Sequence, residues 1–486
     1  MNKLYMFIGK TKKKYDEIPI QFKASLWFLI CSVLQKGISV ITTPIFTRLL
    51  TPFEYGEYNV FNSWMGILSV FITLKLAYGV YAQGIVKFES NKYQFTSALQ
   101  GLTLAITSLF FALYLMFSNF WNNMFGLSTV EMVLMFIIIW AGAVVDFWST
   151  EQKLDYKYKH VVIVTLIVSI VQPLLSVVAV LNSHNKVLAR IFVIAMVNFI
   201  AYGWAFFYHM KKGKVFFSKK YWLYALGFNI PLIPHYLSQT VLSSADRIMI
   251  NDIVGSSEAG IYSLAYTISL LVTLFNSAIM QTMSPWMYRK IRDKNIDGID
   301  KVAYISLLGL SGINLLLIAF APEIIKIFAP DEYFSAIWII PPVAMSTVFM
   351  FSYDLFAKYE FYYEKTNFIM IASVLAAGLN IVLNFVFIKK FGFIAAGYTT
   401  LLCYVISTIG HYIFMNRICL NNSIGRKPYN LKTLNFIYFG FMGLGFIIMA
   451  TYNFFIIRYF FIGLIILFFL CNLNKIKIIC HNLMNY

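Results

Sequence analysis

Leu50-Thr51-Pro52-Phe53-Glu54-Tyr55-Gly56-Glu57-Tyr58 follows the first long apolar run of the chain, and Val254-Gly255-Ser256-Ser257-Glu258-Ala259-Gly260-Ile261-Tyr262 follows a later one. Both stretches contain Glu-x-Gly-x-Tyr, and both open a new apolar run. The motif alone is a weak match, but its two copies hold the same place in the order of runs. Lys157-Tyr158-Lys159-His160 and Tyr363-Glu364-Lys365-Thr366 extend the match. Each precedes an apolar run, a short polar loop and a second run, starting near Leu188-Ala189 in one case and Ile394-Ala395 in the other. The offset stays at about 206 residues, as expected of an internal duplication.

The apolar runs are long enough to cross a bilayer. The chain is 60% apolar and 12% charged, far from the balance of a soluble domain. Runs of about 20 residues, the length of a spanning helix, recur from end to end. We place spans near 24–47, 58–82, 95–117, 130–148, 160–181, 188–209, 222–250, 259–284, 302–321, 336–356, 367–388, 394–415, 434–452 and 454–472. The fold class read from this pattern is an all-α integral membrane protein of about 14 helices. Two six-helix lobes, 1–215 and 216–417, are followed by two additional helices and a cytoplasmic tail, 418–486. An even number of spans per lobe inserts both lobes in the same orientation, related by an axis along the membrane normal. No short apolar core with a small-residue cleavage site follows the basic start, so the first run reads as an uncleaved helix.

The net charge of +18 raises the question of nucleic acid, and its distribution answers it. With the N-terminus in the cytoplasm and the sides alternating, the cytoplasmic segments hold most of the 39 Lys and Arg residues. Lys211, Lys212, Lys214, Lys219 and Lys220 share one such loop, and Arg289, Lys290, Arg292, Lys294 and Lys301 another. The opposite side holds Lys186, Arg190, Lys326, Lys389 and Lys390. This is the positive-inside pattern. It places both termini in the cytoplasm and leaves no basic excess for a nucleic-acid partner. Cys31, Cys403, Cys419, Cys471 and Cys480 show no paired or metal-like spacing.

Ionisable groups within spans are costly and therefore the first functional candidates. Lys36, Arg48, Lys75 and Arg247 are cations within spans or near their ends. They suit a cationic cavity for an anionic head group such as pyrophosphate, since Arg offers a fork of donors and Lys a compact charge. Snorkelling to an interface is the competing reading, strongest for Arg48 and Arg247 and weakest for Lys36. His235, Gln239, Leu242 and Asp246 follow i, i+4, i+7, i+11 spacing and form one stripe. Pro231 and Pro234 precede it and free backbone groups for a bend. The stripe either lines a cavity and takes part in coupling or forms an interhelical hydrogen-bond seam. Gln172, Asn276, Asn380 and Asn384 read as helix–helix glue. Asp146 and Asp354 are the other in-span acids, candidates for ion coupling. Both lie near inner ends, where a hydrated carboxylate is the simpler reading, and Asp354 can pair with Lys358 one turn on. Coupling to sodium or protons is left unassigned. The 32 Tyr and 9 Trp residues supply interface belts. No phosphate-binding glycine loop, metal cluster or nucleophile elbow is present, so we expect no cofactor, no direct drive by ATP and no enzyme activity.

The residues also resemble a known family. Thr43-Pro44, Arg48-Leu49-Leu50-Thr51-Pro52 and Glu54-Tyr55-Gly56-Glu57-Tyr58 look like the opening of bacterial polysaccharide flippases, the O-antigen or Wzx-type members of the MOP exporter superfamily. Pro231-Leu232-Ile233-Pro234-His235, Ser244-Ala245-Asp246-Arg247 and Gly260-Ile261-Tyr262-Ser263 look like the family pattern at the start of the second lobe. The resemblance covers roughly 1–417. It implies a V-shaped pair of lobes with a cationic central cavity, in the bacterial cytoplasmic (inner) membrane. It implies transport of undecaprenyl-pyrophosphate-linked oligosaccharide to the outer leaflet, with membrane lipids, a polysaccharide polymerase and a chain-length regulator as partners. It carries functional weight most directly onto Asp246 and Arg247, which sit in the matching motif. A cation-coupled multidrug exporter shares the architecture but would place acids in its cavity. A membrane enzyme would need a larger outer loop or paired catalytic groups, and an assembly scaffold needs neither.

Overall fold

The computed structural model describes residues 19–422, 424–467 and 470. The basic residues before position 19, Cys471, Cys480 and the end of the tail lie outside the described residues. Among the described residues up to Ala450 there are 18 α-helices and no strand. The first half contributes α1 (Ile20–Leu49), α2 (Pro52–Thr73), α3 (Val80–Lys87), α4 (Lys92–Met116), α5 (Ser118–Phe125), α6 (Thr129–Leu154), α7 (Tyr158–Leu181) and α8 (Lys186–Gly213). The remainder contributes α9 (Lys219–Asn229), α10 (Ile233–Ile253), α11 (Ser256–Ser269), α12 (Thr273–Arg292), α13 (Ile299–Ala319), α14 (Ala321–Phe328), α15 (Ile340–Tyr362), α16 (Thr366–Phe391), α17 (Ala395–Asn421) and α18 (Leu431–Ala450). The protein is an all-helical, multi-pass integral membrane protein. Among the described residues, 11 helical segments are long and apolar enough to cross a membrane. The last sequence-read span, 454–472, contains the shorter helix Phe455–Leu467.

Three expected spans are interrupted, 259–284 by the 3-10 turn Leu270–Val272 between α11 and α12. The segment 58–82 does not run as one helix: α2 stops at Thr73, Leu74 and Lys75 take left-handed φ values of 47° and 49°, and the helix resumes at Val80. The segment 222–250 breaks where its prolines allow: α9 ends at Asn229, and Ile230–Leu232 forms a 3-10 turn before α10. Asn229 donates its side-chain amide to the Leu74 carbonyl at 2.7 Å. One break thus satisfies a backbone group exposed by the other, as broken membrane helices require. Two short helices, α5 and α14, were not expected; each follows the third long helix of its half, and each is 8 residues long.

Contacts divide the chain into two compact units: Met1–Leu49 with Leu68–Ile233, and Leu50–Ile67 with Pro234–Tyr486. These units are defined by packing, and the lobes read from sequence by repetition. In the first unit, Tyr81, Phe95, Phe147 and Tyr221 form a buried aromatic core, with Tyr81 edge-on to Phe147 at 4.8 Å and its hydroxyl 2.9 Å from Thr96. Between α6 and α7, Asp155 accepts from Lys92 and Lys157, each at 3.0 Å. Partial burial pushes its carboxyl up, but the two lysines outweigh this and hold it below its ordinary value. In the second unit α15 is the central helix, largely buried against α13, α17 and α18.

The repeated motif lies in the second unit, and its glutamates and glycines each have a local task. Glu54 accepts from the Thr51 amide at 2.8 Å and Thr51 Oγ1 caps the Glu54 amide, a reciprocal cap at the start of α2. Glu258 occupies the matching place in the first turn of α11, folded over Gly255. Gly56 and Gly260 are where α2 and α11 cross. A Cβ at Gly56 would run into the Ser256 carbonyl, and one at Gly260 into the Pro52 carbonyl. The contact is reciprocal, and only glycine permits it, as at other close crossings of membrane helices.

Gly260→Val or Gly56→Val should therefore lower the melting temperature of the purified protein in detergent, by the equivalent of about 1–3 kcal/mol of overpacking. Gly142→Ala meets no atom within 4 Å in α6 and should be neutral or stabilising by up to ~1 kcal/mol. Equal melting temperatures for all three variants would show that the crossing does not need its glycines.

Candidate functional site

The second unit holds a buried carboxylate network built on the stripe of α10. Asp246 is 1% exposed. Its Oδ2 accepts from the Tyr262 hydroxyl at 2.5 Å and the Thr400 hydroxyl at 2.8 Å, and its Oδ1 from the Asn384 amide at 2.6 Å. Asn384 also donates to Asn380 Oδ1 at 3.2 Å and accepts from the Thr399 hydroxyl. The network thus joins α10, α11, α16 and α17. The three hydroxyl and amide donors leave neither oxygen of this buried carboxyl without a partner. The same oxygen-rich set could hold a proton or a hard monovalent cation in exchange for donors. Among the described residues no cluster of three or more His, Cys, Asp or Glu side chains could hold a metal ion. The donors here are hydroxyls and amides.

The rest of the stripe is mixed. Gln239 donates to Ser373 on α16 at 3.3 Å, so it is a seam between helices. Leu242 is buried in the hydrophobic core. His235 is half-buried, and its Nδ1 has no partner among the described residues. Arg247 turns back on its own helix, donating to the Ser243 carbonyl at 2.9 Å, with its guanidinium 4.6 Å from the Tyr266 ring centre and its Nε buried without a partner. Asp354 is ion-paired with Lys358 at 2.7 Å, as their spacing allows.

In the first unit, Lys36 lies exposed on α1. Arg48 is exposed near the end of the same helix and donates to the Pro44 carbonyl at 2.9 Å. Lys75 stands in the left-handed turn that ends α2, donating to Ser69 Oγ at 3.0 Å and within electrostatic reach of Asp146 on α6. The break in the helix, invisible in the hydropathy pattern, is what places this lysine.

Two features were missed in the sequence. The first is a register that both halves share. Gln35 donates to Ser169 at 3.4 Å between α1 and α7, and Gln239 and Ser373 repeat the bond between α10 and α16 at the same offset as Gly56 and Gly260. By that offset Asp246 corresponds to Thr42 and Asn384 to Val180, so the carboxylate network belongs to the second half alone. The second is a pair of buried His–Glu contacts. His209 Nε2 lies 2.9 Å from Glu151 Oε2 between α8 and α6, with its Nδ1 3.0 Å from the Gln100 amide nitrogen. His411 Nδ1 lies 2.9 Å from Glu360 Oε2 between α17 and α15. All four side chains of the two pairs are buried.

A family model described as polysaccharide biosynthesis protein matches residues 22–291, more than half of the chain. The chain belongs to that family. A model described as MatE matches residues 231–386 of this polysaccharide biosynthesis protein, the stretch that contains Asp246 and Asn384. An Lsg locus protein of Haemophilus influenzae is 23% identical over 389 residues, covering 73% of this chain and 88% of the relative. Among solved structures, the lipid II flippase MurJ in an inward closed conformation is similar with a TM-score of 0.70 at 16% identity, covering 93% of this chain and 100% of that one. An inward-facing multidrug resistance MATE family transporter of the MOP superfamily is similar with a TM-score of 0.58 at 11% identity, covering 79% and 94%. At such identities the likeness establishes the fold alone: this member of the polysaccharide biosynthesis family shares its all-helical fold with those two proteins.

Two sets of variants test the polar contacts. Asp246→Ala strands three donors, each costing about 1–3 kcal/mol, and should unfold at clearly lower temperature than Asp246→Asn, which keeps an acceptor. Equal loss in both would mean that the charge, not the hydrogen bonding, stabilises this site. Glu360→Leu alone should cost about 3–5 kcal/mol, and Glu360→Leu with His411→Leu much less, if the pair only joins helices. A double variant no more stable than the single would contradict that role.

Proposed function

We propose that this protein is a flippase. It carries undecaprenyl-pyrophosphate-linked oligosaccharide repeat units from the cytoplasmic to the outer leaflet of the bacterial cytoplasmic membrane, by alternating access, for O-antigen or capsule-type surface polysaccharide. The observation that carries the reading is membership of a polysaccharide biosynthesis family on a transporter fold. The intramembrane cations support an anionic cargo. Lys36, Arg48, Lys75 and Arg247 are proposed to meet the pyrophosphate during transport, through charge-assisted hydrogen bonds. Asp246 is proposed as the coupling residue, its charge neutralised in part of the cycle by a proton or sodium ion. Asp146 and Asp354 are weaker candidates for the same role, Asp354 because Lys358 already holds it. Both termini would be cytoplasmic, and the product would pass to a polymerase and a chain-length regulator.

A cation-coupled exporter of the multidrug class is the second reading, favoured by the MatE match over the stretch that bears the carboxylate network. Leaflet sidedness of the lipid-linked glycan separates the two. In cells that make the glycan, removal of this protein should trap it on the cytoplasmic face. Lys36→Ala or Arg247→Ala should slow its outward movement roughly tenfold or more, the worth of one charge-assisted bond, with membrane insertion unchanged. Unaltered sidedness on removal would overturn the flippase reading. Normal flipping by both variants would overturn the role of the cations alone.

A further inference from the structure

In the first unit the connection from α8 to α9 reads Gly213-Lys214-Val215-Phe216-Phe217-Ser218-Lys219-Lys220. Its backbone is fixed by close packing on α4. A Cβ at Gly213 would run into the Tyr93 carbonyl, and one at Gly101 into the Phe216 carbonyl. The Val215 amide donates to Ser97 Oγ at 3.4 Å, and the Trp222 indole to the Ala98 carbonyl at 2.8 Å. Yet the side chains of Phe216 and Phe217 are 48% and 62% exposed. Large apolar rings left open on a firmly held loop mark a contact surface. Its depth follows from α8, whose 28 residues rise about 42 Å, close to the full thickness of a bilayer with its headgroups. The loop therefore stands in the headgroup layer, within reach of the upper acyl carbons. The lysines around it divide into two kinds. Lys92 and Lys157 share Asp155, and Lys212 is held by the Tyr208 hydroxyl at 2.5 Å. Lys87, Lys214, Lys219 and Lys220 are exposed and make no ion pair among the described residues. The ammonium groups of Lys87 and Lys220 converge on one ring, 5.9 and 5.4 Å from the centre of Phe88. Lys219 and Lys220 stand in the first turn of α9, the end of a helix that disfavours cations.

We propose that this loop is a docking surface for anionic phospholipids of the leaflet it faces, the cytoplasmic one by the positive-inside pattern. Phe216 and Phe217 insert among the upper acyl carbons. Lys214 and Lys219, each two residues from the nearer ring, meet the lipid phosphates, and Lys220 and Lys87 extend the cationic face. Unpaired lysines beside inserted aromatic rings match the charged and apolar ends of such a lipid. Topology alone accounts for the lysines but not for the two open rings between them. An acidic soluble partner would meet the same lysines but would leave the rings without hydrocarbon. The inference is independent of what the protein transports.

The test uses the full chain in phosphatidylcholine vesicles that contain a minority of brominated lipid. Phe217→Trp places a fluorophore in the loop, and the signal of the parent protein is subtracted. Brominated phosphatidylglycerol should quench it with an apparent binding constant about fivefold above that of brominated phosphatidylcholine, the worth of about one lysine at an anionic lipid surface. Lys214→Ala, Lys219→Ala and Lys220→Ala together should bring the ratio close to one, and the three arginine replacements should keep it. Phe216→Trp reports from the adjacent ring and should show the same preference if Phe217→Trp does not fold normally. Equal quenching by the two lipids in chains that keep the lysines would overturn the proposal, as would a preference that outlasts loss of all three. Quenching by neither lipid at either position would also overturn it, and would assign the loop to water or to a protein partner.

Discussion

Where α2 and α11 cross, backbone meets backbone, and the arrangement of polar groups in the second unit follows from that approach. Gly56 lies against the Ser256 carbonyl and Gly260 against the Pro52 carbonyl, each one helical turn after the residue that the other touches. In lipid no water competes for the contact, and packing rather than hydrophobic transfer drives helices together. The glutamate of the motif fixes where each helix starts, and the glycine fixes how closely they meet. In the second copy the tyrosine, two residues further on, delivers its hydroxyl to Asp246. A five-letter repeat thus carries a helix start, a crossing and one donor of a buried charge.

The duplication was kept in the scaffold and abandoned in the chemistry. The crossing glycines and the Gln–Ser bonds between the first and fifth spans of each half share one offset. At that same offset the first half has Thr42 and Val180 where the second has Asp246 and Asn384. A repeated helical frame can hold one asymmetric polar site without disturbing its packing, because the polar replacements satisfy each other.

The fold was largely legible because hydropathy period and length report spans directly, and the repeat supplied their grouping. The break at Leu74 was not, since no proline marks it; Gly79, just before the helix resumes, was the only local sign. Of the site, Asp246 stood out as an acid in an apolar run. Asn380 and Asn384 carried the same polar signal as ordinary helix glue, and only their distance to Asp246 separates them from it. Glu151 and His209 lie far apart in sequence, as do Glu360 and His411, each near a span end where a charged residue usually faces water. Pairing across helices leaves no local trace. The cations remained visible as intramembrane charge, while their environments differ: Arg247 is half-buried against Tyr266 and Lys36 is exposed.

The two His–Glu contacts limit how each half can deform. Each ties the fourth long helix of its half to the sixth, the pair with the most extensive packing in that half. Sliding one helix of such a pair by a single turn would leave an acid and an imidazole without each other in a medium that cannot solvate either. That degree of freedom is frozen. Any large rearrangement must be taken up by elements outside these pairs, and the helices within each pair would travel as one block.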